Sequence, residues 1–115
     1  MNTREKGRIG ENRAVEYLLG KGYTIVSRNF QTKAGEIDCI AQDMDGTFVF
    51  VEVKSARYGS RNPLFSITPS KQKNLIRVAR RYMMEHKIVN KPCRFDVIAV
   101  VKGEVEHLKN AFISM

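Results

Sequence analysis

Two short acidic runs set among apolar residues hold the most chemical potential in this 115-residue chain: Gly35-Glu36-Ile37-Asp38 and Phe50-Val51-Glu52-Val53-Lys54. Burying an unpaired charge is costly, so acids and a lysine in strand-forming segments call for more than packing. Alternate residues of a strand share a face. That rule groups Glu36, Asp38, Ile40 and Gln42 against Ile37, Cys39 and Ala41, and groups Phe48, Phe50, Glu52 and Lys54 against Val49, Val51 and Val53. The link Asp43-Met44-Asp45-Gly46 is a hairpin signal with two registers. A two-residue Asp45-Gly46 loop sets Asp38 against Val53 and scatters the charges. A three-residue Met44-Asp45-Gly46 loop, with Gly46 left-handed, pairs Asp43 with Thr47 and sets Asp38 across from Glu52. Their side chains then start roughly 5 Å apart, with Lys54 one step along the same face. Carboxylates that close repel, and an oxygen-seeking divalent cation is a common remedy. The plainer alternative is a solvated Glu-x-Lys pair on an edge strand.

Two helices are expected to flank these strands. From Thr3 to Gly20 the apolar spacing runs through Ala14, Val15, Leu18 and Leu19, and Gly22 is a natural stop. Glu11 precedes Ala14, Val15 and Leu18 by three, four and seven residues, so it projects from the core-facing stripe and needs either a basic partner or a role at a site. From Pro69 to His86 a second stripe runs through Leu75, Ile76, Ala79, Tyr82 and Met83. Gln72 opens it, an inward amide suited to a water or phosphate, or else to capping its own helix end. Lys71, Lys73, Arg77, Arg80 and Arg81 fall largely on the other faces.

A carboxylate on one strand followed by Glu-x-Lys on its neighbour resembles the metal-binding core of the restriction-endonuclease-like nucleases, the PD-(D/E)xK superfamily. The resemblance implies that Asp38, Glu52 and the Val53 carbonyl hold Mg2+, with Mn2+ as an alternative. It also implies that Lys54 orients or deprotonates the attacking water, and that a helix glutamate, here Glu11, lies near the metal. Beside two acids Lys54 keeps its charge unless a cation offsets them, so it ranks as a positioner first and a base second. The whole chain is similar to the YraN-like family of small bacterial proteins assigned to that fold. The residues that carry the likeness are Gly10-Glu11, Ala14, Tyr17-Leu18, Gly22-Tyr23, Arg28-Asn29, the two acidic runs and Arg94-Phe95-Asp96-Val97-Ile98. Cys39 stands where a leucine is usual, and a family arginine is displaced to Arg57; neither touches Asp38, Glu52 or Lys54.

The remaining segments complete an α/β architecture. Tyr23 to Asn29 reads as a first strand, 35 to 42 and 47 to 55 as the hairpin, Arg94 to Val101 as a fourth strand, and Glu104 to Leu108 as a short fifth after a Lys102-Gly103 turn. Helix, three strands, helix, two strands implies a mixed central sheet flanked by helices, in a single nuclease-like domain over 1–115. With 43% apolar residues the chain can bury one core but not two. Cys39 and Cys93 read as core thiols, and His86 and His107 as surface or helix-end residues without ligand spacing. Asp96, in an apolar strand, reads as structural, paired with Arg94 or a basic loop. No phosphate-binding Gly-x-x-x-x-Gly-Lys loop, dinucleotide fingerprint or nucleophile elbow is present. With no signal peptide and no long apolar span, a soluble cytoplasmic protein is expected.

A net charge of +8 favours a polyanion over an acidic membrane surface, because the basic helix needs its apolar stripe for the core. The surplus lies in that helix and in the connection before it, where Arg57 and Arg61 sit among Gly59, Ser60, Asn62 and Pro63. Phosphate contacts from these cations give affinity without sequence reading. The expected function is a Mg2+-dependent phosphodiesterase on DNA, selective for structure rather than sequence and, by analogy with its fold, possible as a homodimer. The alternatives are a noncatalytic nucleic-acid-binding module whose acids form internal salt bridges, and an adaptor for an acidic protein.

Overall fold

The computed structural model describes residues 3–56 and 67–112. In chain order these form α1 (Thr3–Gly20), β1 (Thr24–Thr32), β2 (Gly35–Gln42), β3 (Phe48–Ala56), α2 (Pro69–Glu85), β4 (Cys93–Val101) and β5 (Glu104–Phe112). The strands lie side by side in sequence order, with β3 and β4 parallel and the other neighbours antiparallel. A parallel pair needs a crossover, and α2 supplies it. The expected mixed α/β sheet flanked by helices is the one observed. β5 is longer than expected, running to Phe112.

Each helix covers one face of the sheet. Ala14 and Leu18 of α1 pack with Cys39, Ala41, Val49, Val51, Ile98 and Val100. Leu75, Val78, Ala79 and Tyr82 of α2 pack on the other side with Ile37, Ile40, Phe48, Phe50 and Phe95. Burial on both faces explains why β3 and β4 are nearly continuous apolar runs. On α1 the stripe centres on Gly10, Ala14 and Leu18, one turn apart, which leaves Leu19 exposed rather than in the core. The Ser55 hydroxyl occupies the space a Cβ at position 10 would need, so α1 packs against the end of β3 through a glycine.

The hairpin takes the three-residue register. Asp43 N–H donates to the Thr47 carbonyl and Gly46 N–H to the Asp43 carbonyl, both at 2.9 Å, with Gly46 at φ +92°. Pairing runs from Gln42↔Phe48 to Cys39↔Val51, and one further step sets Asp38 opposite Glu52. Simple alternation fails in one place: Ile37 joins Ile40 on the α2 face instead of Cys39 and Ala41 on the α1 face. The phase breaks at Asp38, whose neighbour across β1, Asn29, takes a left-handed φ of 54°. There the Asp38 carboxylate, not a β2 carbonyl, accepts the Val53 N–H at 2.8 Å.

A buried polar chain ties the opposite half of the sheet to α1. Asp96, fully buried, accepts hydrogen bonds from Arg94 Nε (3.1 Å), His107 Nε2 (2.7 Å) and Asn110 N–H (2.9 Å). Burial alone would raise this carboxyl, yet the His107, Asn110 and Arg94 bonds outweigh it and hold Asp96 below its ordinary value. The bond to Asn110, itself at φ 53°, sits where the β4–β5 register shifts between Phe95 and Val97. Arg94 goes on to Asp43 (2.9 Å) and to the Tyr23 hydroxyl (2.7 Å), while His107 Nδ1 meets the Tyr17 hydroxyl at 3.1 Å. Asp96 is thus structural and paired with Arg94, as its setting suggested. His107 is not a surface residue: its side chain is 5% exposed, because β5 turns it inward to this carboxylate. His86 does end a helix, capping α2 and stacking on Tyr82. Cys39 is a core thiol, pushed up to about 11 mainly by burial, whereas Cys93 is exposed at the first position of β4, before that strand enters the core.

Candidate metal and phosphate site

The carboxylates gather where β2 and β3 splay apart. Beyond Cys39↔Val51 the two strands no longer pair backbone to backbone. The gap admits the Asp38 side chain, which stands between the faces rather than on one of them. It neighbours Glu52, on the α2 face of β3, closely enough for each carboxyl to act on the other. On the other side its oxygen lies with those of Glu11 and Glu36, all three within 4.8 Å of one another. Asn29, oriented as a donor, bridges the last two, at 3.0 Å from Glu11 Oε1 and 2.8 Å from Glu36 Oε1. The left-handed backbone at Asn29 is thus part of what assembles the cluster.

Electrostatics show three acids short of positive charge. Burial first, and then the Asp38 charge, push the Glu52 carboxyl up to about 7. Burial also raises Asp38, although the Val53 N–H and the neighbouring Glu52 carboxyl oppose it. Glu11 is raised by burial, then by Asp38 and Glu36. Among the described residues Glu52 Oε2 is buried without a hydrogen-bond partner; Lys71 Nζ stands 3.8 Å away, beyond hydrogen-bond reach. An orphaned buried carboxylate oxygen beside a second carboxylate fits a hard divalent cation, whose ligands are oxygens.

The sequence-predicted residues divide clearly. Asp38 and Glu52 come together as expected, and Glu11 faces them from α1. Lys54 is half-buried two residues beyond Glu52 on β3. Gln72 is half-buried near the start of α2, where its amide donates to the Ile67 carbonyl at 3.2 Å. Lys71, expected on an outward face, instead reaches Glu52. Thr68 caps α2 and Pro69 begins it, so Lys71 falls in the first turn, and side chains there lean toward the helix N-terminus. No acid occupies that turn, which leaves the positive end of the helix dipole uncompensated. Lys73, Arg77, Arg80 and Arg81 are exposed along α2, and Arg81 pairs with Glu85 at 2.7 Å. Arg57 and Arg61 lie outside the described residues. Sequence reasoning left out Glu36 and Asn29. Glu36 carries a signal in its i, i+2 spacing from Asp38; Asn29 has none that single-sequence patterning can use.

The fold and site define a small α/β protein with a carboxylate cluster between two sheet faces. The chain belongs to the uncharacterised protein family UPF0102, whose model matches residues 10–100. Relatives span almost the same length. A UPF0102 protein of Persephonella marina is 45% identical over 108 residues, covering 93% of this chain and 92% of that one. One of Clostridioides difficile is 44% identical over 117 residues, covering 97% and 100%. Among solved structures, Pyrococcus furiosus SfsA in complex with Ca2+ is similar at 18% identity and a TM-score of 0.41, over 94% of this chain and 64% of that one. A chain of the EndoMS-dsDNA2 complex is similar at 14% identity and a TM-score of 0.36, over 80% and 34%.

Proposed function

We propose that the protein is a metal-dependent nuclease that hydrolyses phosphodiester bonds in DNA. The observation that carries the reading is the buried Glu52 Oε2 beside Asp38, unpartnered among the described residues, with Lys71 close and Lys54 further along the same strand face. The residues fit a divalent cation: Asp38, Glu52 and the Val53 carbonyl would hold Mg2+ or Mn2+, and Glu11 and Glu36 add negative charge on the α1 side. When bound, the cation polarises the scissile phosphate and lowers the pKa of its water. Lys54 positions the attacking water and the phosphate oxygens. Lys71 and the α2 N-terminus stabilise the charge that develops on the phosphate. The water oxygen bonds to phosphorus as the bond to the 3′ oxygen breaks; the water gives up a proton to solvent and the 3′ oxygen takes one, leaving a 5′-phosphate and a 3′-hydroxyl. The basic face of α2 and the connection carrying Arg57 and Arg61 supply sequence-independent affinity. Selectivity for branched or flapped DNA, action as a homodimer and a cytoplasmic location belong to the same reading. No helix among the described residues is long and apolar enough to cross a membrane.

The test is cleavage of labelled single-stranded, duplex, flap and four-way-junction DNA in Mg2+ or Mn2+, with Lys54→Ala and Glu52→Ala beside the wild type. Cleavage lost in both variants and in chelator is expected. Binding without cleavage by any of them would establish the noncatalytic module instead.

A further inference from the structure

Two grooves border the edge strand β1 near the carboxylates. One, of about 830 Å³, runs along α1 and β1 and is lined by Arg8, Asn12 and Arg28 next to Glu11 and Glu36. The other, of about 670 Å³, lies between the β1–β2 turn and α2 and takes in Lys33, Arg77, Arg80 and Arg81. Gln31 lines both, and its Nε2 donates to Glu36 Oε2 at 3.2 Å. The grooves lie on opposite faces of the sheet and share Gln31 on the edge strand β1, whose bond to Glu36 links them to the acidic cluster, with cations on either side.

We propose that the two grooves form one open-ended track for the phosphodiester backbone of a single nucleic-acid strand, which crosses the carboxylates with its phosphates held on both sides. The inference rests on the nuclease reading of the site and adds to it the form of the substrate and the way it lies. Each groove has the volume of a site for a drug-sized molecule, enough for a short stretch of one strand. The described residues that line the grooves are polar, charged or aliphatic, which suits recognition by backbone charge and hydrogen bonding. Lys33 and Arg77 form no ion pair among the described residues and are exposed, which leaves both to phosphate; Arg81 is already held by Glu85. Arg28 is anchored differently, donating to Asn12 Oδ1 at 2.7 Å, and so presents a guanidinium fixed in place beside Glu11. Because Arg8 and Arg28 at one end and Lys33 and Arg77 at the other are all exposed, a strand can enter and leave without a free terminus.

The experiment pairs binding with cleavage in the full chain. Anisotropy of a labelled single-stranded oligonucleotide in Ca2+ is followed across a salt series for wild type, Lys33→Ala, Arg77→Ala and Arg8→Ala; circular and linear single-stranded DNA are then incubated with wild type in Mg2+ or Mn2+. Each variant is expected to weaken binding several-fold and to lower the slope of log affinity against log salt by about 0.7, the value for one lost phosphate contact on a single strand. Circular single strands are expected to be opened. Variants that keep the wild-type slope while wild type still binds and cuts would overturn the track and leave the nuclease reading standing. Resistance of circles with end-dependent loss of linear strands would also overturn it. Slopes reduced as expected with no cleavage by wild type would uphold the track and end the nuclease reading, and absence of binding would end both.

Discussion

Asp38 Oδ2 accepts the backbone N–H of Val53 at 2.8 Å, a side chain standing in the ladder position that a β2 carbonyl would otherwise fill. One group thereby ends the β2–β3 pairing, fixes the start of the Glu52-Val53-Lys54 segment and carries charge into the site. The two roles separate by substitution. Asp38→Asn keeps an acceptor for Val53 and removes the charge, so it should fold as well as wild type and lose cleavage. Asp38→Ala strands the N–H and should cost a further 1–3 kcal/mol, roughly, in chemical denaturation.

The raised Glu52 carboxyl sets a pH dependence. Below about 4.5, its ordinary value, the group is protonated whether the chain is folded or not and contributes no difference. Between about 4.5 and about 7 the unfolded chain loses the proton while the folded one keeps it, so the contribution to stability falls as pH rises; above about 7 the full penalty persists. Melting curves of Glu52→Gln and wild type in chelator should therefore coincide near pH 4 and separate toward pH 8, with the variant melting higher. A constant difference across that range would contradict the shift.

Cation binding should reverse that penalty. Ligand binding to the folded state stabilises by RT ln(1 + [L]/Kd), about 2.7 kcal/mol at a hundred times Kd. Mn2+ or Ca2+ at pH 8 should raise the melting temperature of wild type, with the rise largely lost in Asp38→Asn and Glu52→Gln. Isothermal titration on the same proteins checks the stoichiometry.

Lys71 lowers the Glu52 carboxyl, so removing its charge should raise that carboxyl further. The acidic limb of a cleavage pH profile should then move upward in Lys71→Ala. Lys54→Ala should lower the rate about 10²-fold or more at every pH with DNA affinity retained, as expected for a group acting in the chemical step.

Asp96 should matter to the fold alone. Asp96→Ala leaves Arg94 and His107 buried without their shared acceptor, a loss of about 3 kcal/mol for a broken buried pair. At temperatures where the variant is folded, its Mn2+ titration should match wild type.

Much of this was written in local order. Gly46 and the turn length narrowed the hairpin to two registers, and the three-residue one observed puts Asp38 opposite Glu52. The extent of α1 and the inward placement of Glu11 followed from 3.6-residue spacing, and the element order implied the mixed sheet. These are contacts between near neighbours, or consequences of a fixed period. What the sequence could not display depends on how separate elements meet. Lys71 reaches Glu52 because the crossover returns the start of α2 to the end of β3. Asn29 joins Glu11 to Glu36 because its left-handed backbone on β1 lies across from Asp38, beside which strict alternation would have placed Ile37 on the wrong face. His107 becomes a buried partner of Asp96 only once β4 and β5 are paired. Periodicity specifies which side of an element faces the core; which charged groups converge there, and with what pKa, is fixed by tertiary packing, since burial and charge proximity are properties of the assembled molecule.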